Sequence, residues 1–256
     1  MMQIYAHRGS SLIWPENTML AFDLAHQAGA TGFETDLRLS RDEHIILSHD
    51  GDLARFDQPE IKISETPLSG LTGKKITSID RQHSDNLISL RMLLEKYPGK
   101  NYIFDCKISD QRLFERLQEL LQDIKFQNRI WFLTWSAQAD RLVSHFFPDC
   151  RFFPRAARTK IWGWSKIVKL GSLLEPANRV LALPAYYFGM PLFNKREVAS
   201  VHQRGKIFVG YLVNSKRDYE RCRACGVQTV LSDRPDLIAG LERDASKSAP
   251  APAVSQ

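Results

Sequence analysis

Four short stretches carry side chains able to handle a phosphate and a proton: His7-Arg8-Gly9, Glu34-Thr35-Asp36, His49-Asp50 and Asp105-Cys106-Lys107. Carboxylates packed together repel one another, and burial raises their pKa values; a hard divalent cation removes the conflict. An all-oxygen set such as Glu34, Asp36 and Asp105 suits Mg²⁺ or Ca²⁺, whereas zinc more often recruits His or Cys. Arg8 and Lys107 are suited to phosphoryl oxygens. An imidazole is the side chain whose ordinary titration range lies near neutrality, so of His7 and His49 one can take a proton while the other gives one. Gly9 permits a tight backbone just after the basic pair. Each stretch alone has a plain explanation: a solvated face, a capping histidine or a chance His-Asp pair. Their joint appearance reverses that preference, because inward carboxylates on buried strands are costly unless matched.

The elements that must position them follow from periodicity. Apolar runs with β character at 3–6, 32–37, 101–106, 129–134, 151–154, 179–184, 206–213 and 228–232 alternate with helical patterns. The helical patterns cover 18–28, 90–97, 110–124, 136–146, 164–174, 194–203, 215–225 and 235–243. Leu113, Leu117, Leu120, Leu121 and Ile124 share one helical face behind a candidate N-cap, Asp110. Eight strand–helix units at this length predict an α/β fold, a (β/α)8 barrel of the TIM type. An open doubly wound sheet is the alternative, weakened because no glycine-rich nucleotide fingerprint follows the first strand. One segment breaks the alternation: "SRDE" turns and "HIILSHD" runs back, a short β excursion after the second strand that returns His49 to the mouth. In such a barrel the mouth is formed by the strands' C-terminal ends. Alternation puts Glu34 and Asp36 on one face, and Asp105 and Lys107 likewise. Asn17 or Thr18 is the candidate N-cap of the first helix, leaving Pro15 and Glu16 just outside.

The charge balance is 35 Lys and Arg against 29 Asp and Glu, with a pI near 9.2, which favours anionic partners. No nucleic-acid module appears, so nucleic acid is the poorer option. The opening residues lack a signal peptide's pattern, and no apolar run is long enough to span a bilayer. Cys222 and Cys225 have redox or zinc-pair spacing but no second pair, and read as helix-facing thiols. A reducing, cytoplasmic setting is expected. The barrel is expected over 1–243 and a disordered tail over 244–256. Within 155–170, basic residues combine with Trp162 and Trp164; the plain reading is a surface helix with tryptophan packed on the barrel, and the sharper one a membrane-surface patch beside the mouth.

The stretch "HRGSSLIWPENTMLAFDLAHQAGATGFETDLRLSRDEHIILSHD", residues 7–50, resembles the glycerophosphodiester phosphodiesterase family. The family pattern runs His-Arg-Gly, Pro-Glu-Asn-Thr, Ala-Phe, Gly-Ala, Glu-x-Asp and His-Asp. Weaker similarity continues in "ISETPLSGLTG", "IFDCK", "VGYLVN" and "GVQTVLSDRPDLI". The resemblance implies a TIM barrel with His7 and His49 catalytic, Glu34, Asp36 and Asp105 as metal ligands, and Arg8 and Lys107 at the phosphate. It implies hydrolysis of a glycerophosphodiester to glycerol 3-phosphate and an alcohol. Asp105 stands where the family usually has Glu, one methylene longer. Leu53 and Arg55 are kept but a usual Thr-Thr is lost. Tyr211 replaces a common Trp in the substrate pocket. Two alternatives stay open: a lysophospholipase D acting at a membrane surface, and a catalytically weak barrel that only binds phosphodiesters or lipid head groups.

Overall fold

The computed structural model describes residues 1–167 and 175–247. Eight strands are each followed by a helix. They are β1 (Gln3–His7), β2 (Gly32–Leu39), β3 (Asn101–Cys106), β4 (Ile130–Leu133), β5 (Arg151–Phe152), β6 (Val180–Leu183), β7 (Ile207–Gly210) and β8 (Thr229–Ser232). The helices are α1 (Met19–Ala28), α2 (Leu90–Lys96), α3 (Gln111–Asp123), α4 (Ala137–Phe146), α5 (Ala156–Ile167), α6 (Lys195–Gln203), α7 (Lys216–Ala224) and α8 (Pro235–Lys247). Hydrogen-bonded neighbours run β5-β4-β3-β2-β1-β8-β7-β6, all parallel. The result is a nearly closed (β/α)8 barrel. Among the described residues no ladder joins β5 to β6; there Asn178 Nδ2 donates to the Phe152 carbonyl at 3.2 Å.

Polar caps start the helices. Thr18, Ser89, Asp110, Ser136, Asn194 and Ser215 each accept a backbone N–H of the first turn. Each such cap is worth about 1 kcal/mol. The helices' apolar faces pack on the outside of the strands, as Leu113, Phe114 and Leu117 of α3 pack with Phe33, Leu37 and Phe104.

The barrel interior has two kinds of layer, set by strand alternation. Tyr5, Ile103, Trp131, Val209 and Leu231 form an apolar floor, with Tyr5 stacked on Trp131 at 5.2 Å between centroids. Two residues further along four of these strands, the same face carries His7, Asp105, Tyr211 and Asp233. Side chains two apart share a face, so an apolar plug supports a polar mouth.

Several boundaries differ from the periodicity reading. The fifth helix begins at Ala156, eight residues before the 164 that apolar spacing suggests; residues 168–174 lie outside the described residues. The seventh strand stops at Gly210, because Leu212 turns to φ 51° and breaks the extended run. The last helix continues to Lys247, past the expected tail boundary at 243; the rest of that tail, 248–256, lies outside the described residues. The excursion after β2 is larger than a hairpin return. Ile45–Leu47 pairs antiparallel to β2, and the chain then builds two further hairpins before α2. These close over their own cluster of Ile46, Leu53, Ile63, Leu71, Ile76 and Leu87. This lobe is tied to the first turn of α1 and to the loop after β1: Asp85 Oδ2 accepts from the Leu20 N–H at 2.8 Å, and the Trp14 and His83 ring centroids lie 4.2 Å apart.

Candidate active site

Register brings the acidic residues together. Asp36 of β2 and Asp105 of β3 are direct cross-strand partners, and Glu34 lies two residues back on the same face as Asp36. Oxygens of Glu34, Asp36 and Asp105 all lie within 4.8 Å of one another. All three residues are buried. Asp36 Oδ1 has no aligned hydrogen bond, although Lys107 Nζ stands 3.0 Å away. A buried, under-satisfied carboxylate oxygen facing two more carboxylates fits a hard divalent cation held by these three residues. The shorter Asp105 still reaches the cluster.

Burial raises the Glu34 pKa to about 8, with Asp36 and Asp105 adding to the effect and His7 and Arg8 opposing it. For Asp36, burial also favours the neutral acid, but Arg8, Lys107 and Asn17 outweigh it and hold the carboxyl below its ordinary value. Asp105 is shifted up, by burial above all, despite Lys107. The excess negative charge of these three buried carboxylates is offset in part by Arg8 and Lys107 beside them.

The basic pair expected at the phosphate is in the mouth, but both members touch carboxylates. Arg8 Nε lies 3.0 Å from Asp36 Oδ2, and its Nη1 donates to Glu16 Oε2 at 3.2 Å. Lys107 Nζ donates to Asp105 Oδ2 at 2.6 Å. Arg8 is in the left-handed region, φ 55°, and its N–H donates to the Glu34 carbonyl at 2.9 Å. Gly9 follows at φ 84°, where a Cβ would meet Ala21 Cβ at 2.6 Å and Ala21 backbone at 2.7 Å. Only glycine fits that approach.

His7 closes β1. Its Nδ1 is 2.6 Å from Asp233 Oδ1, and its Nε2 is 3.7 Å from Glu34 Oε2. Asp233 also accepts from Ser11 Oγ at 2.9 Å and from Asn214 Nδ2 at 2.6 Å. A carboxylate so placed only accepts, so Nδ1 carries the proton and Nε2 faces the site. Burial disfavours the charged His7 ring, but Glu34 and Asp233 overcome it and the ring titrates above its ordinary value. Burial likewise opposes ionised Asp233, and His7, Asn214 and Ser11 reverse the balance.

His49 lies just beyond the strand Ile45–Leu47 that runs back along β2. Its Nδ1 lies 2.8 Å from Asp50 Oδ1. Its carbonyl accepts from Arg38 Nη2 at 2.7 Å and Nε at 3.1 Å. Arg55 Nε donates to Asp50 Oδ2 at 2.8 Å and its Nη2 to Glu16 Oε1 at 2.6 Å. An ionic chain thus runs Arg8, Glu16, Arg55, Asp50, His49. His49 is on the rim, with a side chain 38% exposed against 13% for His7. Tyr211 is in the mouth as well; burial, reinforced by Glu34 and Asp105, raises its phenol to about 12.

Spacing did not reveal Asp233, Asn214, Ser11, Glu16 or Trp135. Trp135 Nε1 donates to Asp105 Oδ1 at 2.6 Å, and its ring takes Lys107 Nζ at 4.9 Å. Each of these lies just beyond a strand end or in the loop after β1, so position at a mouth was the available signal. Asn17 is a mouth residue and not the helix cap: Thr18 caps α1, while Asn17, at φ 56°, donates from Nδ2 to Asp36 Oδ2 at 2.7 Å. Cys222 and Cys225 are buried free thiols on and after α7, away from the acidic cluster.

A family model described as "Glycerophosphoryl diester phosphodiesterase family" matches residues 7–237. A glycerophosphodiester phosphodiesterase of Caldanaerobacter subterraneus subsp. tengcongensis is 24% identical over 251 residues, 94% of this chain and 97% of that protein. A human lysophospholipase D is 30% identical over 138 residues, 51% of this chain and 43% of that protein. Among solved structures, an Oleispira antarctica phosphodiesterase in complex with the product sn-glycerol-3-phosphate superposes with a TM-score of 0.69 at 20% identity, covering 96% of this chain and 97% of that one. With its barrel, its acidic cluster and a match along nearly its whole length, the chain belongs to the glycerophosphoryl diester phosphodiesterase family, enzymes that hydrolyse glycerophosphodiesters.

Proposed function

We propose that the chain hydrolyses glycerophosphodiesters to glycerol 3-phosphate and an alcohol, with His7 and His49 exchanging the protons and Glu34, Asp36 and Asp105 holding one Mg²⁺ or Ca²⁺. The observation that carries this reading is the convergence of three buried carboxylates beside the His7 imidazole, with the Nδ1 of His7 and that of His49 each engaged by an aspartate. A bound divalent cation supplies neutralisation of phosphoryl charge, worth several kcal/mol in the transition state. Arg8 and Lys107 add positive charge on the two sides of the cluster. His7, its Nδ1–H fixed by Asp233, takes the proton of the glycerol 2-hydroxyl at Nε2. That oxygen then bonds to phosphorus, and the bond from phosphorus to the leaving alkoxide breaks. His49, on the more open rim, gives the alkoxide its proton. Water subsequently opens the cyclic phosphate, with the two rings exchanging roles. Such acid–base help is worth roughly 10²–10⁴-fold.

Phosphorus NMR during turnover of glycerophosphocholine tests the two-step route. A transient cyclic glycerophosphate is expected; its absence throughout turnover would leave direct attack by water on the same residues.

The substrate's alcohol side is open to a lysophospholipid, as for a lysophospholipase D. The likeness to the human lysophospholipase D and the exposed Trp164 favour this second reading, which brings with it contact with an anionic membrane. The contrasting reading, a barrel that binds phosphodiesters without turnover, rests on Asp105 in place of Glu and predicts no product release. No helix among the described residues is long and apolar enough to cross a membrane, and a cytoplasmic location is part of the proposal.

A further inference from the structure

The mouth-side flank between β5 and α7 exposes aromatic side chains that the barrel does not use. After β6 the chain forms a two-rung hairpin, Tyr186–Tyr187 against Met190–Pro191. Its tip residue, Phe188, is 84% exposed in the left-handed region, φ 46°. Tyr187 contacts Phe188 at 4.5 Å and Trp164 of α5 at 6.4 Å between centroids. Trp164 is 59% exposed, and Ile161, one turn earlier on the same helix face, is also exposed. Helix α5 therefore splits its two tryptophans. Trp162 is buried and lies 6.3 Å from Phe208, while Trp164 looks outward toward the hairpin.

The hairpin is held in place from behind. Arg217, at the start of α7, lies over the Tyr186 ring at 4.0 Å and donates from Nη2 to the Gly189 carbonyl at 3.4 Å. Leu192, which follows the hairpin, is buried, with its N–H donating to the Ala185 carbonyl. A rigid base with an aromatic tip in solvent is an unusual use of apolar area, since soluble proteins avoid clustered exposed aromatics.

Charge identifies the occupant. Residues 151–217 carry thirteen Lys and Arg against two Asp and Glu, whereas the whole chain carries 35 against 29. The basic excess of the molecule is thus concentrated in the segment that bears the aromatic ridge. Arg158 and Lys160 of α5, Lys195 and Arg196 at the start of α6, and Lys216 of α7 are exposed. Trp and Tyr side chains settle at the lipid–water interface, and lysine and arginine around them are drawn to anionic head groups.

We infer that this ridge, Trp164 with the Tyr187–Met190 tip and its basic surround, docks the barrel mouth onto an anionic lipid interface. It deepens the lysophospholipid reading above, since it delivers the mouth to substrate held in a membrane. Docking itself requires no catalysis, so its test stands apart from that of the reaction.

The experiment is co-sedimentation of the full chain with phosphatidylcholine vesicles, with and without phosphatidylglycerol, at low and high salt. The wild type is expected to sediment with the anionic vesicles at low salt and to be released by salt. The double variant Phe188→Ser/Trp164→Ser, altering exposed side chains only, should bind roughly tenfold more weakly. Lys195→Glu/Arg196→Glu should weaken binding to anionic vesicles to a similar degree. Hydrolysis of soluble glycerophosphocholine should be unchanged in both variants. Three results would overturn the inference: a wild type that ignores anionic vesicles, variants that sediment as the wild type does, or a wild type that is a dimer in solution where the double variant is a monomer, which would make the ridge an interface between two copies.

Discussion

His7 meets two carboxylates, and the difference between them suits the proton-accepting role proposed for it. Asp233 touches Nδ1 at 2.6 Å and is saturated with donors, while Glu34 stands off from Nε2 at 3.7 Å. The first fixes ring and tautomer; the second leaves Nε2 able to exchange a proton. Asp233→Asn keeps the shape but replaces the acceptor that holds Nδ1–H. It should lower kcat roughly 10²-fold with KM nearly unchanged, measured as glycerol 3-phosphate release from glycerophosphocholine. Equal losses in affinity and rate would point to collapse of the pocket. At this scale the acidic cluster was legible in the sequence, because period-two alternation puts Glu34 with Asp36 and Asp105 with Lys107. Asp233 and Asn214 were not. Asp233 meets His7 226 residues away in the chain, Asn214 joins through Asp233, and no local spacing records a contact made only when β8 closes beside β1.

Elements place these side chains through a few tight backbone positions. The loop after β1 turns through Arg8 and Gly9 in the left-handed region and pins Gly9 against Ala21. Gly9→Ala adds both strain and overlap. It should cost about 2–4 kcal/mol of stability, read as a lowered urea midpoint, and should shift Arg8 and His7 together, so activity falls as well. A glycine-to-alanine change that left stability intact would show that the loop relaxes. The eight strand–helix units were legible because apolar periodicity and a cap such as Asp110 mark them. The excursion after β2 was not legible in extent: its strands are two to five residues long, too short for alternation to register. Helix α5 was displaced in the reading because its apolar spacing is poor; Trp162 and Trp164, two apart, point in different directions.

For the whole molecule, the barrel is a plugged cylinder whose polar layer lies at one end, and away from that layer the segments leading into β6 and β7 are tied together. Glu175, ahead of β6, accepts from Arg204 Nη2 at 2.7 Å and from Lys206 Nζ at 2.9 Å. Burial opposes the Glu175 charge, but Lys206 and Arg204 outweigh it and hold its pKa below the ordinary 4.5. A depressed carboxylate stabilises the fold above its unfolded value and loses that contribution as pH falls through the folded one. Glu175→Gln should therefore lower stability at neutral pH by at most about 1 kcal/mol, and the gap to wild type should close below about pH 4 in thermal melts. A gap independent of pH would assign Glu175 a packing role. At the mouth end, the proposed hydrolysis depends on one cation shared by β2 and β3. The direct test is glycerol 3-phosphate release by protein stripped with a chelator and then titrated with Mg²⁺ or Ca²⁺. Activity should vanish on stripping, return with one equivalent of bound ion in the wild type, and fail to return in Asp36→Asn. Full activity without any divalent ion, or its full recovery in Asp36→Asn, would contradict the account.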